Sequence, residues 1–208
     1  MPFRLLKNYE NIALNPSEIK GKIDFNTIFD TPAPVQIEIG SGRGTFLVNQ
    51  AKSQPSINFI GIEWARKYYR YSVDRLGRWG LKNVRIIRTD AVAFIAENVP
   101  DSSVEGFHIY FPDPWPKKRH HKRRFLQQSN LDQMLRCLSP EGLINIATDH
   151  EEYFEWMNDL VDQNTNKVTK IDFLKPTGAE ETEHVGTNFE RKYLKLGKKT
   201  HALALKKM

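Results

Sequence analysis

Short apolar runs alternate with stretches of helical periodicity from residue 35 to residue 164, and no other feature restricts the fold as much. The run 35–40 (VQIEIG) reads as a buried strand, 41–54 as a turn and helix, and 58–64 (NFIGIEW) as the next strand. The pattern repeats with a helix over 65–79, a strand over 84–90, a short helix over 91–99, and a strand over 106–114 that ends in a proline-stiffened loop. A helix over 124–138, a turn at 139–142 marked by Pro140 and Gly142, a strand over 142–149 and a helix over 151–164 follow. Right-handed crossovers then place helices on both faces of a mostly parallel sheet. The tail differs: 167–175 and 198–207 are strand candidates joined by a polar loop with no evident crossover helix, so an antiparallel pair is expected at one sheet edge. The expected fold is therefore α/β, a three-layer, doubly wound, mostly parallel sheet of seven strands. Residues 1–30 are poorly patterned and read as an N-terminal arm, with 31–208 as one domain.

A chain of 208 residues is long enough to bury roughly 70% of its unfolded surface. Its 39% hydrophobic and 27% charged residues describe a globular protein, and no apolar stretch is long enough to span a bilayer. The start, MPFRLLKNYE, lacks the apolar core of a secretory signal, so a cytoplasmic protein without a membrane association is expected. The single cysteine, Cys137, excludes an internal disulfide and a thiolate zinc site, and its apolar surroundings mark it as a small core residue. A formal charge of +6 favours a polyanionic partner, although the distribution of charge says more than its sum.

The segment 38–44 (EIGSGRG) places Gly40, Gly42 and Gly44 directly after a strand, where they permit a tight turn and a close backbone approach to a ligand. The spacing is GxGxG and not the GxGxxG of dinucleotide-binding turns. Glu63 ends the second strand, where a doubly wound fold presents a carboxylate to a ribose, and Asp90 ends the third. Both also suit helix caps. Glu38 is acidic within an apolar strand, where burial without a partner is expensive. Such negative charge rewards a cationic sulfonium ligand with an amino group and repels a pyrophosphate, which favours S-adenosylmethionine over NAD.

The most informative stretch is 110–125, YFPDPWPKKRHHKRRF. Pro112, Pro114 and Pro116 restrict the backbone around Asp113 and Trp115. Lys117, Lys118, Arg119, His120, His121, Lys122, Arg123 and Arg124 follow, a density of cations that repels itself unless phosphates lie against it. Trp115 suits either stacking on a base or packing down to close its loop. His120 and His121 lack metal-ligand spacing, and no metal is expected. Asp149 follows the fifth strand, where an N-cap is the competing role. The segment 186–193, with Thr187, Asn188, Phe189 and Glu190, reads from its residues alone as an ordinary loop.

The segments IEIGSGRGTF, FIGIEW, RTDA, FPDPWPKKRHHKRR, ATDHEEYF and GTNFERKYLKLG together resemble the tRNA (guanine-N7)-methyltransferase family of the class I methyltransferase fold, with consistent spacing from residue 34 onward. The resemblance implies methyl transfer from S-adenosylmethionine to N7 of guanosine 46 in the variable loop of tRNA. It implies cofactor-pocket roles for Glu38, Glu63 and Asp90 beside the three glycines, and a central active-site role for Asp113, close to cofactor and guanine. Lys117, Asp149 and the stretch Thr187, Asn188, Phe189, Glu190 match substrate positions, and Arg119, His120, Lys122, Arg123 and Arg124 match a stretch linked to RNA. A methyltransferase for another RNA site or a small molecule shares the glycine turn and acidic pocket but does not need the cationic run. A non-catalytic RNA-binding module tolerates loss of Asp113 and binds no cofactor. Monomer and homodimer are left open by the sequence.

Overall fold

The computed structural model describes residues 5–208 and divides into two compact units, Met1–Asn98 and Val99–Met208. The first contains β1 (Ala13–Leu14), α1 (Phe25–Ile28), β2 (Val35–Ile39), α2 (Thr45–Ser53), β3 (Asn58–Ile62), α3 (Arg66–Arg78), β4 (Val84–Ile87) and α4 (Ala91–Asn98). Its strands lie in the order β1-β4-β3-β2, and every neighbouring pair is parallel. Every residue of β3 and β4 is buried, as a parallel strand covered on both faces requires. Helix α3 turns Val73 and Leu76 into the core and leaves Arg66, Lys67 and Arg70 exposed.

Residues 1–4 of the expected arm lie outside the described residues. Residues 5–30 pack against the first unit: Ile12, Ile23 and Phe29 are buried, β1 pairs with β4, and the Ile23 N–H donates to the Asn98 carbonyl at 2.8 Å. Weak periodicity concealed this because single anchoring residues, and not a repeating face, hold the segment down.

The second unit contains β5 (Val104–Tyr110), α5 (Gln128–Cys137), β6 (Leu138–Thr148), α6 (Glu151–Asp162), β7 (Val168–Ile171), α7 (Asn188–Lys195) and β8 (His201–Lys207). Strand β5 is parallel to β6, while β8 runs antiparallel to both β6 and β7, so the antiparallel pair expected at the C-terminal edge is present. The seven expected strands are joined by the two-residue β1. Three local expectations need correction. Helix α5 starts at Gln128, and the cations before it form a 3-10 turn, Lys118–Arg123. The expected turn at 139–142 is an irregularity within β6: Val104 pairs with Leu138 and Gly106 with Leu143, with Glu141 at φ +67° between them. The connection after β7 contains α7, whose start is the sequence T-x-x-E. Cys137 is buried, as its apolar neighbours indicated. Among the described residues no helix is long and apolar enough to cross a membrane.

Gly77, inside α3, leaves room for the arm: a Cβ there would lie 2.1 Å from Tyr9 Cγ. Ala gains about 1 kcal/mol over Gly in a helix interior, but such a clash with the root of a packed ring costs more, typically 1–3 kcal/mol. Gly77→Ala is therefore expected to lower stability by about 1 kcal/mol and to speed proteolysis before residue 30, as measured by thermal unfolding and limited digestion.

Candidate active site

In the first unit the chain leaves β2 through a turn in which Gly40, Gly42 and Gly44 have φ of +74°, +54° and +67°, values that L side chains rarely adopt. Three contacts fix this turn. The Gly40 N–H donates to the Ile62 carbonyl at 2.8 Å, the Gly42 N–H donates to Glu63 Oε2 at 2.7 Å, and Ser72 Oγ donates to the Gly42 carbonyl at 2.7 Å. Glu63 also accepts from the Ala65 N–H at 2.7 Å, so its nearly buried carboxylate holds the turn and the start of α3 together. Asp90 is exposed and accepts from the Ala93 N–H at 3.1 Å, capping α4. The capping role open for both residues is thus realised by Asp90 alone, while Glu63 bonds the N–H of Ala65, the N-cap residue of α3, which has no side-chain cap.

Glu38 is different. Its side chain is buried in β2, and Oε2 has no hydrogen-bond partner among the described residues. Burial pushes its carboxyl from the ordinary 4.5 up to about 8; the Ser41 hydroxyl offsets part of that rise and the Glu63 charge adds to it. An unpartnered buried carboxyl beside a glycine turn suits the amino group of a cationic ligand.

In the second unit β5 ends at Tyr110 and the backbone enters two left-handed residues that are not glycine, Phe111 at φ +53° and Trp115 at φ +44°. Each costs of order 1–3 kcal/mol and persists only where its surroundings enforce it. Arg124 does so. It is buried to about 1% exposure, its Nε donates to the Pro114 carbonyl at 2.9 Å, and its two terminal nitrogens form a fork on the Glu152 carboxylate. The guanidinium lies over the rings of Tyr153 and Trp156, at 4.8 and 5.1 Å. Those α6 rings also hold the next backbone: the Leu126 N–H donates to Tyr153 Oη, and Trp156 Nε1 donates to the Leu126 carbonyl.

Arg124 was expected among the RNA-contacting cations, but its head is sealed inside the second unit and it acts as the clamp of the loop. A density of charge does not distinguish the one cation that turns inward. Of the other residues in this run, Lys117, Lys118, Arg119, Lys122 and Arg123 are exposed, and His120 is half-buried. Trp115 packs down, with His120 edge-on at 5.8 Å and Arg123 over its ring at 4.9 Å. Asp113, in the middle of the clamped loop, is exposed.

Asp149 pairs with Lys198, Nζ to Oδ2 at 2.9 Å, and the N-cap of α6 is the next residue, His150, whose Nδ1 accepts from the Tyr153 N–H. Thr187 caps α7 by accepting from the Glu190 N–H at 3.1 Å. Glu190, expected to face substrate, is completely buried, and its carboxylate accepts from the N–H groups of His184, Val185 and Gly186 at 2.6, 2.8 and 2.8 Å. It therefore fixes the loop that presents Asn188 and Phe189, both exposed. The T-x-x-E pattern carried this signal in advance, since an N-cap hydroxyl with an acid three residues later marks a helix start. Among the described residues no group of three or more His, Cys, Asp or Glu side chains is arranged to hold a metal.

A solved SAM-dependent methyltransferase from Aquifex aeolicus matches with a TM-score of 0.54 at 14% identity, over 84% of this chain and 81% of that one. At that identity the likeness is one of fold, a Rossmann-like fold shared with that methyltransferase. A family model described as a putative methyltransferase matches residues 32–203. A tRNA (guanine-N(7)-)-methyltransferase of Halorhodospira halophila is 36% identical over 187 residues, 88% of this chain and 79% of that protein. One of Streptococcus thermophilus strain CNRZ 1066 is 32% identical over 193 residues, 93% and 89% of the two chains. The chain belongs to the tRNA (guanine-N7)-methyltransferase family.

Two outcomes follow from this geometry. Arg124→Lys keeps the charge but loses the fork, and is expected to lower stability by about 2–3 kcal/mol in urea unfolding; Arg123→Lys, at an exposed position, should change it by less than about 1 kcal/mol. Glu38 has a folded-state pKa raised above its unfolded value, so its contribution is fully present below pH 4.5 and is lost as pH rises to about 8. In the ligand-free protein, Glu38→Gln should flatten the fall in stability across that window, read from melting temperature against pH.

Proposed function

We propose that this enzyme transfers a methyl group from S-adenosylmethionine to N7 of a guanine in tRNA, at guanosine 46 of the variable loop. The observation that carries the proposal is an exposed carboxylate, Asp113, on a backbone clamped by a buried arginine and followed directly by five exposed cations. S-adenosylmethionine, when bound, supplies an electrophilic methyl carbon. Glu38 Oε2 would receive its amino group, the strand-end carboxylates Glu63 and Asp90 its ribose side, and the three-glycine turn allows close approach. Ionised Glu38 is the form that binds a cation, so cofactor affinity should rise as pH approaches 8 and level off or fall above it, where the cofactor's amino group loses its proton.

Guanine N7 presents an in-plane lone pair, so no base has to remove a proton before attack. The protein's task is alignment and charge stabilisation. Asp113 accepts hydrogen bonds from the guanine N1–H and N2–H groups, holds the base still and favours the positive charge that the purine acquires. Lys117, Arg119, His120, Lys122 and Arg123 contact phosphates, offsetting the cost of a few kcal/mol for drawing a stacked base out of the folded RNA. Asn188 and Phe189 contact the substrate from the start of α7, while Thr187 and Glu190 hold that start in place. Asp149, neutralised by Lys198, completes the substrate side. The reaction requires neither a membrane nor a metal, belongs to the cytoplasmic tRNA pool, and is compatible with a monomer or a homodimer.

Purified protein incubated with methyl-labelled S-adenosylmethionine and unmodified tRNA should yield label in 7-methylguanosine that maps to the variable loop. Asp113→Asn should lower kcat by roughly 10²–10³ with little change in cofactor affinity, and KM for tRNA should rise steeply with salt. Label in another nucleoside or another loop overturns the assigned position, and an Asp113→Asn enzyme with wild-type kcat overturns the role of that carboxylate.

A further inference from the structure

Helix α7 ends in a turn that lays two side chains of the second unit against each other. Gly197, at φ +70°, takes the left-handed position just past the helix. Its N–H donates to the Leu194 carbonyl at 2.9 Å and the Lys198 N–H to the Tyr193 carbonyl at 3.1 Å, the pair of bonds that closes a helix at a glycine. The chain thereby folds back, and the Lys198 ammonium lies 4.6 Å from the Tyr193 ring centre while it bonds Asp149 Oδ2 at 2.9 Å. The ring of Phe111 meets that of Tyr193 at 6.1 Å with a tilt of 41°. Tyr193 is therefore packed both against the residue that opens the Asp113 loop and against the cation that holds Asp149.

The phenol is only partly covered, and its hydroxyl makes no hydrogen bond among the described residues. Desolvation holds its pKa above the ordinary value, the charges of Asp149 and Asp113 raise it further, and Lys198 offsets part of the rise. Both carboxylates thus lie within electrostatic reach of Tyr193. Lys198 is committed to Asp149, whereas Tyr193 Oη is a donor with no commitment within the second unit.

The edge of guanine that Asp113 is proposed to hold carries two donors, N1–H and N2–H, and beside them one acceptor, O6. A carboxylate accepts from the donors and can give nothing to O6. A carbonyl drawn out of water and left unpaired is expensive, so a site that encloses this edge needs a donor next to the carboxylate. We infer that Tyr193 is a further substrate-contacting residue, its hydroxyl donating to O6 of the target guanine. Phe111 and Lys198 are the positioning residues that hold its ring. The inference rests on the proposed guanine substrate and deepens it, since a third bond on the same edge fixes how the base lies before N7 attacks.

The test compares two full-length tRNAs, one with guanosine and one with 6-thioguanosine at the position where methyl label maps. Sulfur in place of O6 keeps N1–H, N2–H and N7 but is a weak acceptor. The preference of the wild-type enzyme for guanosine, as a ratio of kcat/KM, should exceed that of Tyr193→Phe by about fivefold or more, the worth of one hydrogen bond. Any effect of sulfur on N7 itself is common to both enzymes and cancels in that comparison. A hydroxyl that only braces the fold lowers both substrates alike and leaves the preference unchanged. Tyr193→Phe keeps the ring against Phe111 and Lys198, so its melting temperature should match the wild type. Lys192→Gln removes an exposed cation 5.9 Å from the same ring, leaves the hydroxyl in place and should retain the wild-type preference. An unchanged preference in Tyr193→Phe overturns the inference, as does complete loss of activity in that variant or an equal fall in preference in Lys192→Gln. A wild-type enzyme that puts no label into 7-methylguanosine refutes the proposed substrate instead, so the two failures are separable.

Discussion

The buried guanidinium of Arg124 is the constraint on which the second unit's chemistry depends. Two residues without the freedom of glycine, Phe111 and Trp115, sit in left-handed conformations on either side of Asp113. The prolines narrow the choices of backbone but do not select this one. Beside Trp115 selection comes from a charge-assisted hydrogen bond to the Pro114 carbonyl, made by a guanidinium held between two aromatic faces and forked onto Glu152, while the Phe111 N–H is held by the Ala147 carbonyl. Because Glu152 is about half exposed, the pair is not desolvated on both sides, and its attraction is not cancelled by the burial of two charges. The result is a clamped backbone on which Asp113 and the neighbouring cations stand exposed.

The first unit applies the opposite device. There the costly group is left unfinished: Glu38 is buried, one of its oxygens has no partner, and its proton is retained far above the usual carboxylate range. Glu63 contributes to that rise while its own oxygens accept from the backbone of the turn. A cationic ligand at Glu38, as proposed for S-adenosylmethionine, would satisfy the orphan oxygen and relieve the repulsion between the carboxylates, so the cost in the free protein would become affinity in the complex. One unit thus holds an unmet bond, the other a bond made elsewhere in the chain.

Glu190 and Arg124 show why charged residues near a site resist reading from sequence. Each lies within a segment that the family pattern ties to substrate, yet each is buried and makes its bonds to backbone or to a neighbouring helix. For Glu190 a local signal existed, the T-x-x-E start of α7, although its carboxylate reaches back to residues 184–186 and not to the capping position itself. For Arg124 no local signal existed, because the rings that receive it lie 29 and 32 positions later, on α6. Asp90 and Glu63 stand between these cases: the same carboxylates that follow strand ends also cap or brace the following helix.

The order of strands and helices from β2 to β7, the parallel core and the antiparallel tail were legible in the sequence, because apolar periodicity and turn chemistry act over a few residues and directly record which faces are buried; β1, α1 and α7 were not. The glycine turn and the density of cations were legible for the same reason. What only the tertiary structure decided was which member of each charged cluster turns inward, how residues 5–30 are anchored, and how Tyr193 meets Phe111. Those outcomes depend on partners distant in the chain, whose approach is set by packing and by the cost of leaving a buried polar group unpaired, and no local pattern encodes them.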